Sequence, residues 1–376
     1  MSRVSPFAPW IKRIYRSLPS GWSAALDLYH TQRYGGRRPP ARLDVMTSVG
    51  GPNVDVLQVM LLSLSRAHPG DRIVFWLLEL RIPPKQMHDL TRFCEGLQNL
   101  ELRPIKLPDP ASFDRLRALG GKPDSARFLW LAAHRHIPET VSRVIYLDAL
   151  DLLVTGDLVP LLRHPFLGHR LVACREGLNR PPLLIGPAIR AHARGATLPT
   201  LRRMARGLMN SGSMVIDLDR MRRDDIGMEA YLQTAEWARG NLGLSFGDQG
   251  IYSLTHGSDY AQAHDRYNHR FFDEPEGRRM ARPAVIHYAG TMPKPFEWLV
   301  TPAQEAAISR HVQQDRAGEL VLNPVQSIRP AQFPYFHRWW DLCAQTPVHG
   351  RIRSHAQAKA TAALAQIGVD PDRPAS

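Results

Sequence analysis

Two carboxylates, Asp148 and Asp151, stand where the apolar run Val144-Ile145-Tyr146-Leu147 ends. A buried strand that stops at acidic residues places them at the mouth of a sheet, where ligands of open α/β folds bind. Two close carboxylates repel each other unless something positive joins them, and a divalent metal carrying a phosphate meets that need. The plainer alternative is a strand followed by an acidic turn. Spacing adds a condition. In an extended chain positions i and i+2 share a face, whereas i and i+3 do not. Asp148 and Asp151 therefore converge only if the chain turns or bulges after Asp148. Otherwise Asp148 holds the metal or a ribose alone and Asp151 is structural.

Three further groups follow along the chain: Asn210-Ser211-Gly212 before the apolar run Ser213 to Leu218, Asp248-Gln249 at the start of a short helix, and His287 with Gly290 and Lys294 behind it. An amide and a hydroxyl at Asn210 and Ser211 suit hydroxyl recognition, or else cap a turn. Asp248 and Gln249 could be simple helix N-caps. A neutral imidazole at His287 is a reasonable third ligand for manganese beside Asp148 and Asp151.

Taken in order, these segments resemble the family 8 retaining glycosyltransferases, the group that includes bacterial lipopolysaccharide galactosyl- and glucosyltransferases and glycogenin. That family reads an aspartate pair after a Y-L-D strand, an N-S-G strand, a D-Q pair opening a helix, and H-x-x-G-x-x-K-P near the end. All four occur here, and the resemblance covers roughly residues 41 to 300. It implies a GT-A nucleotide-sugar-binding fold and transfer of a hexose from a UDP-sugar, with Mn2+ or Mg2+ as cofactor. It also implies that Asn210, Ser211 and Gly212 face the donor sugar, that Asp248 contacts sugar hydroxyls, and that Gln249 lies near the anomeric carbon. Gly290 would let the backbone approach the diphosphate, and Lys294 would place a point charge on it. Arg127 matches the arginine of the family's helix before the aspartate strand and would pair with Asp148 or a phosphate. The loop from Thr47 and Ser48 to Asn53 would hold the nucleobase. Two departures stand out. The family's D-x-D is stretched here to Asp148-Ala149-Leu150-Asp151, and its last motif is stretched by one residue before Lys294-Pro295. The acidic-aromatic pair common near the nucleobase is missing from Gly51-Pro52-Asn53.

The elements that must position these residues alternate. Leu43 to Ser48, Arg72 to Leu78, Leu100 to Leu107 and Val144 to Asp148 read as strands. Val54 to Ala67, Pro84 to Phe93 and Ala126 to Arg135 between them read as helices. This predicts an α/β fold with a mostly parallel central sheet. Ser213 to Leu218 reads as a strand, Met228 to Arg239 and Asp248 to Leu254 as helices, and Ala284 to His287 as a last short strand. Pro181 to Gly207 reads as a loop or lid. Helical N- and C-terminal extensions flank the domain: a basic, aromatic-rich piece over 1–40, the catalytic domain over 41–300, and a mainly helical region over 301–376. In the last, His311 to Leu320 and His355 to Ile367 read as helices, and 370–376 reads as a frayed end.

With 376 residues, 44% hydrophobic and 22% charged, the chain can bury a full core. A net charge of +13 favours anionic partners. Zinc-finger spacing, RNP-type aromatics and a contiguous basic helix are lacking, so nucleic acid is not expected. A nucleotide diphosphate and an anionic membrane surface account for the charge; Trp10, Tyr15 and Trp22 among cations suit such an interface, or else a helix packed on the catalytic domain with its arginines solvated. The expected partners are a nucleotide-sugar donor and a glycan or glycolipid acceptor. Three scattered cysteines argue against a disulfide framework. Without a signal-like start or a run near ~18 apolar residues, a cytoplasmic location is expected, peripheral on the inner membrane face. Two other functions fit the same residues: a silent nucleotide-sugar-binding protein of the same fold, and a sugar nucleotidyltransferase.

Overall fold

The computed structural model describes residues 38–107, 110–122, 124–176, 192–193, 195, 197–198, 209–243, 245–257, 259–271, 282–315 and 318–369. The expected N-terminal extension up to residue 37, nearly all of the loop expected over 181–207 and the chain end from 370 lie outside these residues.

A seven-stranded sheet forms the centre. Its strands are β1 (Arg42–Gly50), β2 (Arg72–Leu80), β3 (Leu100–Lys106), β4 (Arg143–Leu147), β6 (Leu171–Arg175), β7 (Met209–Asp217) and β8 (Tyr260–Gln262). β5 (Leu152–Val154) and β9 (Val285–His287) pair separately as an antiparallel ladder, with Leu152 opposite His287. The order across the main sheet is β3-β2-β1-β4-β7-β6-β8. Strands β1 to β4 are mutually parallel, and β7 runs antiparallel to both its neighbours. The expectation of an α/β fold with a mostly parallel sheet is met.

The reason lies in the strand sequences. β2 reads Arg-Ile-Val-Phe-Trp-Leu-Leu-Glu-Leu and is buried from its second residue onward. A strand apolar on both faces must be covered on both, which requires helical crossovers. On one face α1 (Leu57–Ala67) and α2 (Pro84–Glu95) cover Leu43, Val45, Phe75 and Ile145. On the other, Trp130, Tyr231 and Tyr252 pack against Met46, Trp76 and Tyr146. These come from the helical turn Ala126–Ala132 and from α5 (Met228–Trp237) and α6 (Asp248–His256), which follow α3 (Ala111–Gly120) and α4 (Leu218–Asp224). α3 stops at Gly121, whose φ of 59° lies in the left-handed region that favours glycine.

After residue 300 the chain forms α7 (Pro302–Asp315), a hairpin of β10 (Leu320–Asn323) and β11 (Gln326–Ile328), α8 (Phe333–Cys343) and α9 (His349–Gln366). The helix read over His311 to Leu320 corresponds to α7, which begins at Pro302; Leu320 instead opens β10, just after Gly318 at φ 72°. Trp339, Trp340, Phe336 and Tyr335 of α8 join Phe271 and Tyr288 in a third apolar cluster. Phe271 stacks on Tyr335 with ring centroids 4.0 Å apart. This cluster backs the β5–β9 ladder and thereby the residues beside it.

Candidate active site

In the order β3-β2-β1-β4 the direction of winding reverses between β1 and β4. Ligands of open α/β sheets bind beyond the strand ends at such a point. A cleft of about 1010 Å³ opens there, between Gly50 at the end of β1 and Asp148 just past β4.

The chain bends over Asp148 to Asp151 before β5 begins. It leaves the main sheet at Leu147 and enters the small ladder at Leu152. That bend accommodates the extra residue in the aspartate motif. The pairing of Leu152 with His287 brings the third group in from 136 positions later in the chain, counted from Asp151. Asp148, Asp151 and His287 each offer a ligand atom, all within 4.8 Å of one another. The set is two carboxylate oxygens and an imidazole nitrogen, which suits Mn2+. Oδ1 of Asp151 is buried without a hydrogen-bond partner, as a cation-binding oxygen would be before the cation arrives. These residues therefore fit a divalent metal.

The electrostatics agree. Burial, followed by the Asp151 charge, pushes the Asp148 carboxyl up to about 6. Burial works against the charge of Asp151 as well, but Lys294 and His287 together outweigh it and hold this carboxyl well below the usual range. Lys294 donates to Asp151 Oδ2 and, at 2.9 Å, to the carbonyl of Tyr288. Burial opposes its charge too, yet Asp151 keeps the ammonium above an ordinary lysine.

Asp148, Asp151, Asn210, Ser211, Gly212, Asp248, Gln249, His287, Lys294, Arg127 and Ser48 all line the cleft. Asp248 opens α6, and its Oδ2 accepts from the buried Trp130 indole at 2.9 Å. The Gln249 amide oxygen accepts from the Ser211 backbone N–H at 3.3 Å. Ser48 shares a 3.2 Å hydrogen bond with the Tyr146 hydroxyl. Two expected site residues, Thr47 and Gly290, are placed elsewhere. Thr47 is fully buried behind the cleft, where its hydroxyl donates to the Leu147 carbonyl at 2.6 Å. Asn53 lies in the helical turn Gly51–Val56 and Gly290 in an exposed turn at φ 100°. Gly290 is not part of the cleft lining.

Several residues around the cleft belong to no motif. Glu176, just past β6, accepts from Asn210 Nδ2 at 2.6 Å and from Gln249 Nε2 at 3.4 Å. Asn268 reaches His287 from the helical turn Asp265–Asn268. Asp124 lines the cleft near Gly50, and Lys122 near Gly247. They come to the cleft by long-range approach, and their polar local surroundings, such as Asp265-Arg266-Tyr267-Asn268-His269-Arg270, do not single them out.

A cleft at the switch point, lined by an acidic pair, a histidine and a helix N-terminus, is the arrangement of a GT-A glycosyltransferase fold. The chain matches the model of Glycosyl transferase family 8 over residues 54–299, well over half its length, and belongs to that family. It is similar in structure to an active-site glutamine-to-glutamate mutant of LgtC, with 22% identity and a TM-score of 0.53, covering 68% of this chain and 89% of that one. It is also similar to the apo structure of the bifunctional glycosyltransferase WbbM, with 14% identity and a TM-score of 0.52, covering 86% of this chain and 53% of that one. No curated protein sequence matches the chain. Among the described residues no helix is long and apolar enough to cross a membrane.

Proposed function

We propose that this protein is a metal-dependent, retaining hexosyltransferase. It moves a hexose from a UDP-sugar to a cell-surface glycan acceptor such as lipopolysaccharide or capsule. The convergence of Asp148, Asp151 and His287 in the cleft that also holds Asp248 and Gln249 carries this reading.

In this reading Asp148, Asp151 and His287 hold Mn2+ or Mg2+. The bound metal supplies neutralisation of the departing diphosphate. Lys294 adds positive charge at the same end, and Arg127 lies in the cleft wall for a phosphate or the sugar. Asp248, oriented by Trp130, binds sugar hydroxyls, with Asn210 and Ser211 on the facing strand. An amide is a poor nucleophile, so Gln249 orients rather than attacks. The bond from the anomeric carbon to the phosphate oxygen breaks, and one to the acceptor oxygen forms on the same face. The acceptor proton passes to the departing phosphate oxygen. Orientation and charge stabilisation supply the rate. The +13 charge supports an acceptor presented at an anionic membrane surface.

A thermal-shift and UDP-release screen tests this. It would cover UDP-glucose, UDP-galactose, their N-acetyl forms and GDP-mannose, with and without Mn2+. The expected result is metal-dependent stabilisation by one UDP-sugar, with slow UDP release. Stabilisation by none would remove the reading.

A further inference from the structure

His287 faces the acidic pair with one ring nitrogen and the protein interior with the other. Its Nδ1 lies 2.7 Å from Oδ1 of Asn268, a side chain with no solvent exposure. Nδ2 of Asn268 donates to Oδ1 of Asn210 at 2.7 Å. That oxygen also accepts the Gly212 N–H at 3.0 Å. Nδ2 of Asn210 donates to Glu176 at 2.6 Å. The other oxygen of Glu176 accepts from Arg270 at 2.7 Å, and Arg270 is itself fully buried and anchored to the Arg175 carbonyl at 2.9 Å.

The direction of this chain of bonds is locked twice. A carboxylate paired with arginine only accepts, so the amide nitrogen of Asn210 must face Glu176. The Gly212 N–H only donates, so the amide oxygen of Asn210 must face it. That oxygen then leaves only a donor's place for Asn268, which must present its nitrogen to Asn210 and its oxygen to His287. Nδ1 of His287 must in turn carry the proton. A neutral imidazole has one N–H, so Nε2 keeps its lone pair. Nε2 lies 3.5 Å from Asp151 Oδ1, the buried oxygen without a hydrogen-bond partner. Two electron-rich atoms thus face each other where a cation would sit.

We propose that Glu176, Asn210 and Asn268 form a one-way hydrogen-bond relay that holds His287 as its Nδ1–H tautomer and keeps Nε2 ready for a divalent cation. Asn210 is then a positioning residue for His287, whatever it also offers a sugar. The proposal deepens the metal-site reading and rests on it for its purpose. Outer partners that fix a ligating histidine set metal affinity through orientation and tautomer.

The test is long-range 1H–15N spectroscopy of histidine-labelled, metal-free protein at mildly alkaline pH, joined to a Mn2+ titration followed by electron paramagnetic resonance. Wild-type His287 is expected to show a protonated Nδ1 and a bare Nε2. A proton on Nε2 instead would overturn the relay, and this measurement needs no variant. In Asn268→Leu, provided its thermal transition shows it folded, Mn2+ should bind roughly 10- to 100-fold more weakly, with Nε2–H now populated. Unchanged Mn2+ affinity in folded Asn268→Leu would also overturn it. Wild type that shows the Nδ1–H tautomer but takes up no Mn2+ would support the relay and contradict the metal reading, so the two failures are told apart.

Discussion

Gly212 backs onto the ring of His287 so closely that a β-carbon at position 212 would overlap both Cε1 and Nδ1 of the imidazole. The same residue's carbonyl accepts the Asp148 N–H at 2.8 Å. One glycine on β7 thus sets the places of two proposed metal ligands, drawn from either side of the cleft. Gly212→Ala is expected to push the imidazole away from Asp151 and weaken Mn2+ binding at least roughly tenfold. A Mn2+ titration checks this, and an unchanged dissociation constant would contradict it.

Asp148 is expected to show a trade of stability for function. Its carboxyl is raised to about 6 by burial and then by Asp151, against an ordinary value near ~4. Without metal, the folded state therefore binds the proton more tightly than the unfolded chain does. Stability falls as pH rises from about 4 through about 6, and the whole cost is present at neutral pH. Asp148→Asn removes that cost. Metal-free Asp148→Asn should be more stable than wild type by on the order of 1 kcal/mol at pH 7, and equally stable at pH 4. Thermal scans in chelator read this directly.

Trp130 is wholly buried, between Tyr146 and Tyr252, and its indole N–H holds the Asp248 carboxylate. Trp130→Phe keeps an aromatic ring and removes the donor. A lost hydrogen bond to a charged acceptor is worth ~1.5–3 kcal/mol, so kcat/KM should fall roughly 10- to 100-fold. Steady-state kinetics beside a thermal scan separate this from a packing defect. Full activity would show that Asp248 needs no orientation.

Acid stability should depend on Asp259. Burial works against its charge, but hydrogen bonds from His169 and Arg170 outweigh this and bring its carboxyl down to about 2. Its stabilising contribution is complete above about pH 4 and is lost as pH falls from there to about 2. Asp259→Asn should cost about 2 kcal/mol at neutral pH and flatten the acid limb of the stability curve. Denaturant melts across that window check both effects.

The sheet was legible because β1, β2 and β4 are dense apolar runs separated by helical spacing, a pattern with few alternatives in a parallel sheet. The condition read from Asp148 and Asp151, a turn between them, is met by the bend into β5. β5 itself was unread, since three residues, Leu152 to Val154, carry no periodicity and exist as a strand only through pairing with β9. The hairpin Leu320 to Ile328 was hidden because its strands are only four and three residues long, too short for the buried-exposed alternation of Leu320 to Asn323 to stand out. Among site residues, Glu176, Asn268 and Arg270 could not be found. Their meaning comes from hydrogen bonds to partners 19 to 94 positions away, which no local spacing encodes. The family resemblance places Thr47 in the loop that would hold the nucleobase. The strand pleat turns it instead to the Leu147 carbonyl and leaves Ser48 on the cleft.

The most direct test of the metal-dependent transfer proposed here is UDP release from the stabilising UDP-sugar, measured in chelator and across a Mn2+ titration, for wild type and Asp148→Asn. Release should be absent in chelator, rise and saturate with Mn2+ in wild type, and fall at least roughly a thousandfold in the folded variant. Equal release in chelator and in Mn2+, or wild-type turnover by Asp148→Asn, would contradict it.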